Sequence, residues 1–432
     1  MKHMKKLMII MGLMTCLNVL SCSNDHFKGP DKKKLSNTII LEWNEIAYEV
    51  FGGEKYQNSL MASRINAMVH LAMHDAINAT YSVYASYAFK GRDESADPIA
   101  AAAAAAHSVL SHEIVEKKAF LDSALQKSLS KIAEGESKKR GLELGKEAAL
   151  AIIAARSNDG SDGNPISPVA PSTTPGVYQA VPPFDFVFAP FWGNIKPFGL
   201  QTNQQFRSIL PPSLNSVEYV TAFNEVKEMG KLNSTSSTSD QKAYSRFWYE
   251  FSEAGWNRVA RTIAENKKLN LFETARLFAL VDMAMADAYI AGWESKFYYN
   301  LWRPYTAIRH ASRDDNDNTI EDSQWEPAMP TPPVQDYPST HSALGNAAAG
   351  VIASIVGDHT PFTMSSPTAL PANSTRSFTS LSQAADENAD SRVMAGIHFR
   401  FACTAGQRLG DQVAEWVVSN HLKPLKKSKD LQ

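Results

Sequence analysis

The sequence predicts an all-α protein in which packed helical bundles form one large domain. Apolar residues recur at helical spacing through most of the chain, strong helix formers dominate several stretches, and no strand series or short repeat is visible. At 432 residues, 44% hydrophobic and 20% charged, the chain has ample material for a large core.

The elements follow in chain order. Met1–Lys6 is basic and Leu7–Leu20 is an apolar run too short to cross a bilayer comfortably, so 1–21 reads as a signal peptide. It ends in Val19-Leu20-Ser21-Cys22, which resembles the lipobox of bacterial lipoproteins and makes Cys22 the candidate lipidation residue. The competing Leu13-Met14-Thr15-Cys16 would leave a shorter apolar stretch. Polar residues 22–38 then read as a flexible tether, and 39–425 as one helical domain. On this reading the protein is exported to the bacterial cell envelope, and it meets the membrane through its lipid alone.

Helices are expected at Arg64–Tyr81, at the alanine-rich Pro98–Leu110, at Ser111–Ile132, and at Glu136–Arg156, which Asn158-Asp159-Gly160 stops. Residues 157–215 are rich in Pro, Gly, Ser and aromatics; the aromatics argue for an ordered loop lying across the helices. Further helices are expected at Val217–Lys231, Thr238–Glu250, Gly255–Glu265, Leu271–Trp302, Ser342–Val356 and Ser391–Asn420.

Charge and cysteine content exclude several functions. The formal charge is −2, and removing residues 1–21 takes Lys2, Lys5 and Lys6 and makes it −5. There is no basic stripe for nucleic acid. Of three cysteines, two lie in or at the end of the signal, so no internal disulfide is expected and Cys403 reads as a small buried hydrophobe.

Three segments combine cations, hydroxyls and imidazoles at short spacing. In Lys296-Phe-Tyr-Tyr-Asn-Leu-Trp-Arg303-Pro304 the two cations, seven apart on a helix, would differ by about 20° in azimuth. Pro304 would end or kink that helix and aim the guanidinium. In Asp336-Tyr337-Pro338-Ser339-Thr340-His341-Ser342, Ser339 or Thr340 sits where an N-cap belongs, and a helix N-terminus is a natural anion site. His341 would lie in its first turn, where the dipole favours neutral imidazole. In Ser391-Arg392-Val-Met-Ala-Gly-Ile-His398, Arg392 and His398 would be about 240° apart on a continuous helix, so a break near Gly396 is needed to bring them together. Each segment taken singly also fits a bland reading: a solvated basic pair, a plain cap, a surface Arg with a core His.

In order, K-x6-R-P, P-S-x-H and S-R-x5-H resemble the three-part signature of the type 2 phosphatidic acid phosphatase and vanadium haloperoxidase superfamily. Ala286-Asp287-Ala288-Tyr-Ile-Ala-Gly-Trp293-Glu-Ser-Lys296 is similar to the helix leading into the first motif of bacterial vanadium-dependent haloperoxidases, as is the early Val69-His70-Leu-Ala-Met-His74-Asp75-Ala76. The likeness is dense over 285–410 and looser elsewhere.

The resemblance implies a haloperoxidase or acid-phosphatase-like fold whose cofactor is vanadate, with phosphate able to occupy the same site. It assigns the oxyanion to Lys296, Arg303, Ser339, the Thr340 amide and Arg392. His398 becomes the metal ligand or a phosphorylated nucleophile, His341 the acid–base group, and Trp293 and Val334 pocket lining. Lys296 would polarise hydrogen peroxide for attack by a halide, iodide or bromide more than chloride. The alternatives are an acid phosphatase acting on a phosphate ester through phosphohistidine, and a non-catalytic oxyanion-binding lipoprotein; a homodimer is a further expectation. Two departures stand out. Thr340 replaces a glycine, and Ala402 stands where phosphatases carry the Asp that orients the histidine.

Other groups read as structural. His70 and His74 have zinc-like spacing but no third ligand. The Asp314–Asn318 loop lacks the Gly and Glu of a calcium loop, and His310 is a candidate for the pocket rim.

Overall fold

The computed structural model describes residues 34–53 and 58–425; the predicted signal, Cys22 and most of the tether lie outside the described residues. The first bundle contains α1 (Thr38–Val50), α2 (Ser59–Thr80), α3 (Pro98–Glu113), α4 (Lys118–Leu129) and α5 (Glu136–Arg156). The second contains α6 (Val217–Met229), α7 (Ser239–Phe247), α8 (Ser252–Asn266), α9 (Leu271–Tyr299), α10 (Pro304–Arg309), α11 (Thr340–Val356), α12 (Leu381–Met394) and α13 (Arg400–Asn420). α2 packs on α9, so one continuous core joins both bundles.

Small residues set the closest approaches. A methyl group added at Gly145 on α5 would lie 2.2 Å from the Ala101 carbonyl of α3. Added at Gly406 or Gly410 on α13, it would lie 2.2 Å from the carbonyls of Ser339 or Ala343 on α11. Glycine at these sites lets backbone meet backbone, and this contact presses α13 against the first turn of α11.

The two bundles share a device. Met73-His74-Asp75-Ala76-Ile77-Asn78-Ala79 on α2 and Met285-Ala286-Asp287-Ala288-Tyr289-Ile290-Ala291 on α9 follow one pattern. In each, the buried Asp accepts three consecutive loop amides: Tyr87, Ala88 and Phe89 for Asp75, and Phe198, Gly199 and Leu200 for Asp287. The second clamp ties the aromatic loop of 157–215 across α9, and a bridge from Val177 to Leu301 ties it again.

Several expectations need correction. The helix expected over Leu271–Trp302 ends at Tyr299, because Asn300 takes a left-handed cap (φ 48°); Pro304 opens α10 instead. The stretch expected as one helix, Ser391–Asn420, is two, separated by Gly396 at φ +78°. Ser111–Ile132 is divided between the end of α3 and α4. α1 and the first half of α12 escaped notice, the first because it abuts the polar tether and the second because its sequence is largely polar. Two antiparallel ribbons also appear, β1 (Ile166–Pro168) with β2 (Phe186–Phe188) and β3 (Phe362–Ser365) with β4 (Thr375–Phe378).

Candidate oxyanion site

Three breaks in helical continuity bring the three segments together. Asn300 stops α9 just after Lys296, and Arg303 precedes α10 in extended conformation, so the pair does not share a helix face as expected. The two side chains converge on the segment before α11. Lys296 Nζ donates to the carbonyls of Gln335 (2.6 Å) and Asp336 (3.0 Å), and Arg303 Nε to that of Val334 (2.7 Å). Gly396 supplies the turn needed after Arg392. That turn is pinned by Gly230, whose carbonyl would lie 2.2 Å from any Cβ at 396, and by the bond from the Met329 amide to the Ala395 carbonyl.

His398 is thereby set against Arg303. Nη1 of Arg303 lies 2.7 Å from the Ile397 carbonyl and 3.0 Å from His398 Nε2. Nη1 also lies 3.4 Å from Nδ1, but the shorter contact to Nε2 and the carboxylate beside Nδ1 together favour the tautomer with its lone pair on Nε2. Asp336 Oδ1 lies 2.9 Å from that Nδ1 and 3.8 Å from Arg303 Nη1. Neither Asp336 oxygen has a well-aligned hydrogen-bond partner, and both are buried. His341, at the first turn of α11, points Nε2 at the Glu250 carbonyl (3.0 Å). The carbonyl only accepts, so here Nε2 is protonated and Nδ1 is free to take a proton.

Arg392 donates Nη1 to the Trp248 carbonyl (3.0 Å), lies over the Tyr249 ring at 5.6 Å, and leaves a buried Nε without an acceptor. Ser339 caps α11; its Oγ accepts from the Ser342 hydroxyl at 3.0 Å. The first-turn amides of α11, Thr340 and His341 among them, have no intrahelical acceptor. Thr340 is not among the positive-φ residues, and its methyl is received by Gly292 of α9, where a Cβ would meet it at 2.7 Å. Gly292 thus makes room for the Thr340 side chain on the α9 side. Trp293 packs edge-on to Tyr289 and directs its indole N–H to the Phe188 carbonyl. Val334 is buried and meets Arg303 through its carbonyl.

Burial dominates the electrostatics. It holds Lys296, His341 and His398 well below their ordinary pKa values, with neighbouring cations adding to the effect. It lowers Arg392 to about 10 and raises Asp336 to about 7, the latter opposed by Arg303 and Lys296. Lys296, Arg303 and Arg392 are each at most 1% exposed. Three buried cations, an orphaned guanidinium N–H and open helix amides form a donor set suited to a multiply charged tetrahedral anion.

Residues outside the predicted set also belong here. Asp336 lies two residues before Pro338 of the second motif, and its approach to Arg303 and His398 arises only from the fold. Tyr178, in the aromatic loop, is 2% exposed with an unpartnered hydroxyl close enough to feel the charge of Arg303. Cys403 is buried beside Ser342, as a small hydrophobe would be, and burial raises its thiol to about 12. His70 and His74 are taken up by Asp282 (2.5 Å) and Asp75 (3.1 Å), and no cluster of three potential metal ligands occurs among the described residues. Asp314 turns inward onto Thr319, closing its own loop.

Residues 276–427 match the family model of the VCPO second helical-bundle domain. The vanadium chloroperoxidase of Curvularia inaequalis is 33% identical over 196 residues, which cover 38% of this chain and 32% of that protein. The match therefore spans about a third of the curated relative's length. A solved bacterial vanadium-dependent iodoperoxidase superposes with a TM-score of 0.78 at 26% identity, covering 91% of this chain and 99% of that one. A bacterial vanadium-dependent chloroperoxidase shares the fold at a TM-score of 0.70 and 18% identity, covering 90% and 98%. In motifs, second-bundle sequence and fold alike, the chain is similar to the vanadium-dependent haloperoxidases.

Proposed function

We propose that the protein is a vanadate-dependent peroxidase that uses hydrogen peroxide to oxidise a halide, iodide or bromide more readily than chloride. The observation that carries this reading is the convergence of buried Lys296, Arg303 and Arg392 on His398, whose unprotonated Nε2 is the nitrogen an oxyanion's metal needs. The iodoperoxidase neighbour, covered almost end to end, supports the heavier halides. Phosphate fits the same donors.

When bound, vanadate supplies a Lewis acid that activates peroxide. The chain's residues do the rest. Arg303, Arg392, the Ser339 hydroxyl and the Thr340 amide bind the oxyanion, and His398 Nε2 is the metal-ligand candidate. Lys296, which donates to the Gln335 and Asp336 carbonyls, would polarise the peroxide beside it. His341 Nδ1 takes the first proton of hydrogen peroxide, its imidazole held by the Glu250 carbonyl. Trp293 and Val334 close the dry wall.

A second reading, acid phosphatase through phosphohistidine at His398, is favoured by one observation. Ala402 leaves out the orienting carboxylate, yet Asp336 brings one to 2.9 Å from His398. Purified residues 23–432, loaded with orthovanadate, should oxidise iodide with peroxide, and His398→Ala should remove that activity. Hydrolysis of a phosphate ester without peroxidation would favour the phosphatase, and silence in both, without anion binding, the non-catalytic oxyanion-binding lipoprotein.

The same proposal places the protein in the bacterial envelope, anchored by lipid on Cys22. Cys22→Ser should move it from the membrane fraction to the soluble one; an unchanged distribution would remove the anchor.

A further inference from the structure

We propose that Asp336 is the positioning residue of His398: a carboxylate carried on the loop before α11 that takes over from the one absent at Ala402 on α13. The structure places Asp336 Oδ1 2.9 Å from His398 Nδ1, with Asp336 fully buried and His398 3% exposed. The loop is fastened to the site at three neighbouring carbonyls, those of Val334 and of Gln335 and Asp336, by Arg303 and Lys296. The Asp336 amide also donates to the Leu301 carbonyl, and the next turn docks on α13 through the Ser339 amide and the Ala402 carbonyl. Ala402 thus touches the cap of α11 through its backbone, with its methyl group buried.

A carboxylate on one ring nitrogen and a guanidinium on the other leave a single tautomer. Asp336 Oδ1 approaches Nδ1 at 2.9 Å without the alignment of a hydrogen bond, and a small rotation of either side chain brings Nδ1–H onto it while Nε2 keeps its lone pair toward Arg303. Metal-bound histidines commonly have their second N–H held by a carboxylate or carbonyl, which fixes ring orientation and raises ligand basicity. Apart from Arg303 and Lys296, the Phe399 amide reaches the Asp336 carboxylate, which leaves an oxygen for His398. Asp336 lies 2.9 Å from His398 Nδ1 and 3.8 Å from Arg303 Nη1, so the histidine is the nearer group through which it acts.

The consequence for the ligand rests on the vanadate reading. Vanadate needs a bond from Nε2, whereas phosphate needs only the surrounding donors. Loss of Asp336 should weaken the first ligand far more than the second.

The test has two arms. In protein labelled with nitrogen-15 in its histidines, long-range proton–nitrogen spectra report the ring of His398, assigned with His398→Gln. The wild-type ring should be protonated at Nδ1, with that proton shifted downfield by the carboxylate; in Asp336→Ala it should move upfield or vanish. A ring protonated at Nε2, or an Nδ1 proton unmoved in the variant, would overturn the proposal whether or not vanadate binds. The second arm is calorimetric titration with orthovanadate and, separately, inorganic phosphate. Asp336→Ala should lose about 10- to 100-fold in orthovanadate affinity and change phosphate affinity little. Asp336→Asn, of the same shape, should show the same selectivity. Equal losses for both anions would mean a structural role only and would contradict the proposal. If the wild type binds phosphate but no orthovanadate, the peroxidase reading fails while the ring spectrum still decides the role of Asp336.

Discussion

At the scale of the residue, the site is a set of exchanges between neighbours. Thr340 occupies a glycine position because Gly292 vacates the matching volume on α9. Gly292→Ala should therefore cost about 1–3 kcal/mol of stability, the range for overpacking. In a Thr340→Ser background, which removes the methyl and keeps the hydroxyl, most of that cost should disappear. Urea unfolding of the four proteins of this cycle measures the coupling; additive effects would mean that the two positions are independent. Arg392 offers a sharper reading. Its Nε has no acceptor in the structure, so Arg392→Lys, which keeps the charge and loses the fork, should lower phosphate affinity at least tenfold by calorimetry. Unchanged affinity would place the anion elsewhere.

At the scale of the element, the helix breaks matter more than the helices. The periodic patterns disclosed most helices, several within a few residues; Glu136–Arg156 agrees at both ends. They did not disclose where long apolar stretches end, because Asn300 and Gly396 act through backbone conformation, which leaves no mark in hydrophobic spacing. The need for a break near Gly396 came from chemistry instead: Arg392 and His398 cannot share a pocket on one continuous helix. Gly396→Ala should be severe, since a Cβ there combines a φ of +78° with a carbonyl at 2.2 Å. Gly357 is the control, with φ +88° and nothing within 4 Å of an added Cβ. The first substitution should lower the melting temperature well beyond the second and abolish anion binding, whereas Gly357→Ala should leave binding intact. Equal effects would remove the special role of the α12–α13 turn.

At the scale of the molecule, the second bundle and its loops bury the site, and burial lowers the pKa values of Lys296, Arg303, Arg392, His341 and His398. The set Lys296, Arg303, Ser339, Thr340, Arg392, His341 and His398 was assigned through the resemblance of three ordered motifs to a family signature, since each segment taken singly also fits a bland reading. Asp336, Tyr178 and the Gly292 notch were not, because they depend on which loop folds over which helix. The electrostatics carry a sign. Lys296, His341 and His398 have depressed pKa values, and a bound anion favours their charged forms. Near pH 8, where phosphate is already a dianion, binding should be accompanied by proton uptake. Calorimetry in buffers of different ionisation enthalpy reads it; net proton release would contradict the sign. The most direct measurement is a crystal structure of the orthovanadate complex. Vanadium should be bonded to Nε2 of His398, ringed by Arg303, Arg392, Lys296 and the first turn of α11, with Asp336 on the far nitrogen. Vanadate held at another site, or a His398 that faces the anion through Nδ1, would contradict the pocket described above.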